Sequence, residues 1–255
     1  MPALTDRDSI RSLLEADSIW SVYALGDLLP ALFPHTRWFT PDLTLVLQVH
    51  DACILFAHGS ASVSEALRHV RWPVHLQIRE PALAVVAAHA RVTRQKRMWR
   101  MGWQGGPLEP GRAGHVRRLT MADLPALQRL YADGEASSEA PDFFYPSMLA
   151  DGVFSGAFTP EGELAAAAGT HIYAPEEGAA AIGNVYTRRS QRGRGYGRAA
   201  TGATLAAVAH LPTVGLNVRW DNAPAIHVYE SLGFRKHCVF YEALAEAPAT
   251  TAAPD

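Results

Sequence analysis

The chain has 255 residues, 48% of them hydrophobic, and a formal net charge of −2 at pH 7. That length suffices to bury a sizeable core in one or two domains, and so small a net charge gives no global attraction to nucleic acid or to an anionic membrane. Two cysteines, Cys53 and Cys238, exclude a disulfide framework or a cysteine-rich zinc site, so no metal is expected. No apolar run reaches the roughly 18 residues of a membrane span, and the N-terminus lacks the pattern of a signal peptide. A reducing cytoplasm is the expected setting.

Thr5-Asp6-Arg7-Asp8 supplies an N-cap and early acids ahead of Ile10, Leu13 and Leu14, which predicts a first helix; a second is expected over 18–29. Residues 43–49 and 53–56 read as strands joined tightly through His50-Asp51-Ala52. Helix is expected over 60–70, strand over 74–79, and helix over 81–90 with proline in its first turn. Residues 1–101 therefore read as a mixed α/β domain. The run 91–100 is the most basic in the chain. It fits either a nucleic-acid patch or a solvated strand or helix face, and the near-neutral overall charge favours the second. Glycine and proline crowd residues 102–114, marking a linker.

A second domain is expected over 115–245. It opens with a strand at 115–119, and Thr120-Met121-Ala122-Asp123 has the form of a capping box before a helix over 123–132. Phe143, Phe144, Tyr145, Met148 and Leu149 make 141–152 too apolar for a free loop, so this segment should cover a substrate or pack on a sheet. Residues 153–158, 164–173 and 179–187, separated by Pro/Gly turns, read as an antiparallel meander, although their alanine content lowers strand propensity. A strand at 213–218 follows a helix over 198–210. Asp221-Asn222-Ala223-Pro224 then caps a helix to Leu232, Gly233 ends it, and 234–242 returns as strand. Residues 246–255, rich in Ala, Pro and Thr, read as a frayed tail.

Between the meander and the helix lies Gln191-Arg192-Gly193-Arg194-Gly195-Tyr196-Gly197-Arg198. Glycines permit positive φ and close approach, a helix starting there exposes free N–H groups and the positive end of its dipole, and arginine adds forked donors. The run is an anion site by composition. No Lys-Ser/Thr pair closes it and the spacing is not that of the dinucleotide fingerprint, so neither of those phosphate loops applies. Arg192-x-x-Gly195-x-Gly197, together with Asn222-x-x-Ala225-x-x-x-Tyr229-x-x-x-Gly233-Phe234, resembles the GNAT superfamily of N-acetyltransferases. The wording around 167–171, 182–187 and 216–222 resembles its glycine N-acyltransferase-like branch.

The resemblance implies a GNAT fold, a central and mostly antiparallel sheet flanked by helices, preceded by a divergent α/β half that reads as a degenerate copy. It implies acetyl-CoA or another acyl-CoA as co-substrate. Arg192, Gly193, Arg194, Gly195, Tyr196, Gly197 and Arg198 would hold the pyrophosphate, Val185, Tyr186 and Thr187 the pantetheine, and Asn222 and Ala225 the cofactor arm. Tyr229 would protonate the leaving thiolate. Read from its residues alone, Tyr229 suits an acid, being protonated at pH 7, and equally suits a packed helix face with Ile226 and Gly233.

Many relatives carry a glutamate base on the strand before the loop, but residues 179–185 contain no carboxylate. His171 is the candidate base, since imidazole titrates near neutrality, and it fits a structural strand histidine as well. Asn184 is suited to orient substrate or water. His237 and Cys238 are adjacent on a strand and point to opposite faces, so they form no nucleophile and base pair. Deprotonating a lysine-type amine at pH 7 costs about 4 to 5 kcal/mol, against about 1 kcal/mol for an α-amine, so a site without a strong base leans towards the less basic amine. The expected acceptor is a small-molecule amine such as an amino acid, with no nucleic-acid or membrane partner, in a monomer or homodimer. A non-catalytic acyl-CoA sensor and a protein-modifying acetyltransferase are the alternatives.

Overall fold

A computed structural model describes residues 4–49, 51–106, 114–135, 139–141 and 143–248. Most of the expected linker and tail, His50, and Asp142 in the apolar segment lie outside the described residues. The chain divides into two compact units. One comprises Met1–Arg100, Arg219–Asp221 and His237–Asp255, the other Met101–Val218 and Asn222–Lys236. The division therefore departs from a single cut at the linker, because the chain from His237 onward joins the first unit.

In the first unit, Asp6 accepts from the Ser9 N–H at 2.9 Å and starts helix α1 (Arg7–Glu15). The second expected helix is shorter than the pattern suggested, α2 covering only Val22–Gly26. Strand β1 (Thr36–Phe39) was not legible in the sequence; it pairs antiparallel with β2 (Thr44–Val49), which pairs antiparallel with β3 (Ala52–Ala57). A crossover through α3 (Val63–Ala66) and a 3₁₀ turn leads to β4 (Val74–Ile78), parallel to β3 in the register Ile54↔His75. The helix expected over 60–70 is thus a single turn with an extension. Its entry is fastened by Asp42, whose carboxylate accepts from the N–H groups of Ala61 (2.6 Å) and Ser62 (3.0 Å) and from the Ser62 hydroxyl (2.5 Å). Helix α4 (Glu80–Ala87) follows, with Ala82 and Val86 in a core shared with Leu55, Val63, Leu76 and Ile78.

The basic run lies on β5 (Arg91–Trp103), so it is a strand. Its solvated character holds only in part. Arg91 pairs with Glu246 and Arg97 lies over the exposed Trp220 ring at 4.9 Å, but Arg100 is fully buried. The Arg100 guanidinium sits over Tyr23 (4.5 Å), Phe240 (5.0 Å) and Trp20 (5.1 Å), where aromatic faces replace part of its lost hydration.

The second unit opens with β6 (His115–Arg118). The capping box at Thr120 and Asp123 is present, and Arg117 grips the same carboxylate at 2.6 and 2.9 Å, holding the Asp123 carboxyl down at about 2. Helix α5 (Leu124–Glu135) and the short α6 (Pro146–Asp151) cover one face of the sheet. Leu127, Leu130, Tyr131 and Leu149 pack there with Phe154 and Tyr186, and Phe144 and Met148 join them, so the apolar segment packs on the sheet through Phe144, Met148 and Leu149 while Phe143 and Tyr145 stay exposed. Strands β7 (Phe154–Phe158), β8 (Leu164–Ala174) and β9 (Ala179–Thr187) form the antiparallel meander.

Helix α7 (Tyr196–Val208) covers the other face. Ala165, Ala166 and Ala168 are wholly buried against Tyr196, Ala199 and Ala200. Small side chains let the helix approach closely, and this packing overrides alanine's weak strand propensity. Strand β10 (Thr213–Arg219) runs parallel to β9. Asn222 caps α8 (Ala223–Ser231), and Gly233, at φ +94°, turns the chain into β11 (Phe234–Glu246).

Candidate acyl-CoA site

The features of interest gather at the end of β9. Pairing between β9 and β10 runs from Ala179↔Thr213 to Ile182↔Leu216 and stops there, although both strands continue. On its other side β9 remains paired with β8, with register shifts on either side of the Gly169↔Gly183 pair. Asn184 takes a positive φ of 52° at this irregularity. Residues 183–187 thus leave the edge towards β10 without a paired strand, which is where an extended ligand can add.

The loop after β9 has the geometry an anion needs. Gly193 and Gly195 lie at φ +75° and +86°, and Gly195 is the N-cap of α7 without any side-chain cap. The first-turn N–H groups of a helix have no partner within the helix, so they are presented at this turn. At Gly197 a Cβ would stand 2.6 Å from Thr187 Oγ1, so the helix start lies directly against the strand end. These residues fit a pyrophosphate with Cβ-free backbone and free donors together.

The arginines of the loop are placed differently from one another. Arg198 Nε donates to Ser231 Oγ at 3.2 Å, and Arg194 donates to Gln191 at 3.1 Å. Arg192 is engaged by Glu139 and by the Thr187 carbonyl. On β9, Val185 is half-buried beside the α7 packing, whereas Tyr186 faces α5 and donates its hydroxyl to Asp133 at 3.0 Å. Only the Tyr186 backbone is available on the splayed edge. Asn222 is occupied as a helix cap, accepting from the Ala225 N–H at 3.2 Å.

Tyr229 lies on the second turn of α8, 8% exposed, with its ring edge-on to Phe234 at 6.2 Å. Burial pushes its hydroxyl up to about 12, so it holds its proton throughout the physiological range. His171 lies beside Gly183 across the β8/β9 irregularity, where a Cβ on Gly183 would stand 2.9 Å from the His171 Cβ, whereas the Asn184 side chain is buried and turned to Met148. The Asn184 carbonyl accepts from the Tyr131 hydroxyl at 2.8 Å and its amide donates to Met148 Sδ at 3.6 Å, which fixes the bulge from the α5/α6 side. Tyr131, Asp133 and Glu139 escaped the sequence reading. Tyr131 was visible only as one more apolar position on a helical face, and the two acids carried no local signal. Among the described residues no group of three or more His, Cys, Asp or Glu side chains is placed to hold a metal, and no helix is long and apolar enough to cross a membrane.

Residues 120–234, just under half of the chain, match the model of the acetyltransferase (GNAT) family. A mycothiol acetyltransferase from Tsukamurella paurometabola is 36% identical over 106 residues, which cover 40% of this chain and 36% of that protein. The match thus spans little more than a third of the curated relative. Two solved structures share the fold over nearly the whole chain. A Drosophila protein superposes with a TM-score of 0.68 at 13% identity, covering 97% of this chain and 98% of its own. A GCN5-related N-acetyltransferase from Kribbella flavida gives 0.61 at 16% identity, covering 91% and 97%.

Proposed function

We propose that the chain, whose residues 120–234 match the model of the acetyltransferase (GNAT) family, is an acyl-CoA-dependent N-acyltransferase, which moves the acyl group directly to a primary amine of a small molecule such as an amino acid. The observation that carries this reading is the conjunction of an uncapped helix start at Gly195 with a strand edge left unpaired beyond Ile182. The first suits a pyrophosphate and the second suits the amide-bearing pantetheine, and the two are joined by one short loop. The wording of residues 167–171 and 182–187 supports an acceptor of the type used in the glycine N-acyltransferase-like branch. The relative from Tsukamurella bears the name of an acetyl transfer, which supports acetyl-CoA as donor. We place the chain in the cytoplasm, as a monomer or homodimer.

Backbone N–H groups of residues 193–198 hold the pyrophosphate, and 185–187 offer backbone donors and acceptors to the pantetheine. Bound there, an acyl thioester supplies an activated carbonyl. The chain's task is to place the amine, keep water away and manage two protons. Tyr229 holds a proton at its hydroxyl oxygen for the sulfur as it departs. His171, next to Gly183, receives the proton that the amine loses, and Asn184 keeps the strand bulge in shape. Because a lysine-type amine costs about 4 to 5 kcal/mol to deprotonate at pH 7 and an α-amine only about 1 kcal/mol, the reaction favours amines of lower pKa.

Free-thiol release is the direct test, with acetyl-, propionyl- and longer acyl-CoA offered against a panel of α- and ε-amines. Acyl-CoA-dependent release with α-amines is the expected result. Binding of acyl-CoA with no thiol released on any amine refutes catalysis and favours a sensor, the reading that the carboxylate-free strand 179–187 would then support.

A further inference from the structure

We propose that Arg192 does not bind the donor's phosphates through its side chain but is a positioning residue, latched by Glu139 so that the loop it opens presents its N–H groups in one arrangement. This rests on the assignment of residues 193–198 to the pyrophosphate of acyl-CoA.

All three nitrogens of the Arg192 guanidinium are engaged. Nη1 and Nη2 donate to the two oxygens of Glu139 at 3.1 and 3.2 Å, and Nε donates to the Thr187 carbonyl at 3.3 Å. Its carbon lies over the Tyr186 ring at 5.7 Å. A phosphate presented to the fork of this arginine has to displace a bidentate carboxylate, the best-matched partner a guanidinium has among side chains. Glu139 also takes Arg189 Nε at 3.3 Å, so one carboxylate spans both ends of the turn that leads into the glycines.

The latch is itself anchored to α5. The Glu139 N–H donates to the Gly134 carbonyl at 3.0 Å. One residue before Gly134, Asp133 Oδ2 accepts from the Arg189 N–H at 2.9 Å and from the Tyr186 hydroxyl at 3.0 Å. Strand end, turn and first loop residue are therefore tied to the same helix end. The Arg192 and Glu139 side chains remain 44% and 42% exposed, and exposed pairs contribute little to global stability. Their effect falls on the conformation of the loop.

Isothermal titration with acetyl-CoA, repeated across a salt series, tests the inference on wild type, E139A, R192A, the double variant and E139D. Each alanine variant is expected to weaken binding about five- to tenfold, and the double variant no further, since both remove one latch. The dependence of affinity on salt stays that of wild type, E139D recovers part of the loss, and in turnover the effect falls on KM for acetyl-CoA rather than on kcat. Tighter binding by E139A would mean that Glu139 competes with the ligand, and a flatter salt dependence in R192A would mean that its charge touches phosphate; either overturns the proposal, as does additivity in the double variant. A wild type that fails to bind acetyl-CoA overturns instead the loop assignment beneath it.

Discussion

Replacing Gly195 by alanine probes the feature on which the cofactor assignment rests. Gly195 sits at φ +86°, ψ −4° at the start of α7. An L-residue with a Cβ pays about 1–2 kcal/mol to occupy the left-handed region. The variant loop therefore relaxes to negative φ and turns the following N–H groups away. The binding-competent arrangement then holds only about one part in five to thirty of the population, and the apparent Kd for acetyl-CoA rises by the same factor. The helix itself is retained, because Ala199, Ala200 and Leu205 stay buried. The same 1–2 kcal/mol lowers the melting temperature by about 2–8 °C at most for a chain of this size. Titration calorimetry with acetyl-CoA, paired with a thermal melt, measures both. Gly195→Asn should lose less affinity than Gly195→Ala, since asparagine tolerates left-handed geometry better. An alanine variant that binds acetyl-CoA within about twofold of wild type would refute the N–H cradle.

Three further outcomes are expected. Tyr229→Phe keeps acetyl-CoA affinity and loses turnover by about 10²- to 10⁴-fold, the usual range for a positioned acid, as steady-state kinetics will show; near-normal turnover would reduce Tyr229 to packing. Gly233→Ala places a Cβ 2.3 Å from the Gly105 carbonyl oxygen at φ +94°, and should cost about 2–4 kcal/mol in chemical denaturation. Burial raises the Asp27 carboxyl to about 8, so the native chain keeps a proton that the unfolded chain releases near pH 4. Stability is then full below about pH 4 and falls as pH rises towards 8, by up to about 4 kcal/mol at pH 7. Asp27→Asn should therefore match wild type near pH 4 and exceed it at pH 8, and parallel pH-stability curves would contradict the assignment.

The sequence declared those parts of the fold that local chemistry determines. Thr120 with Asp123, Asn222 with Ala225, and Gly233 are readable because cap and turn residues act on backbone three or four positions away. Strand β1 was hidden between Pro34 and Pro41, whose punctuation masks a run of four residues. The buried Arg100 was read with its solvated neighbours, because only the packing of Trp20, Tyr23 and Phe240 around it distinguishes the two. In the site, the glycine loop was visible and its supports were not. Arg192 and Glu139 are 53 positions apart, as are Tyr131 and Asn184, and no periodicity links such pairs.

The carboxylate of Asp42 has a meaning beyond its hydrogen bonds. In the first unit the order of meander, crossover helix and parallel strand repeats that of the second, and where the second offers bare N–H groups the first already holds an oxyanion. A ligand carried on the chain acts at an effective concentration of the order of millimolar or above, without needing to be captured from solution. In that half the Asp42 carboxylate already occupies the N–H groups of Ala61 and Ser62, so a dissolved phosphate ester would have to displace it. Under the proposed assignment of residues 193–198 to the donor's pyrophosphate, one donor molecule per chain is the expected stoichiometry, which titration with acetyl-CoA measures.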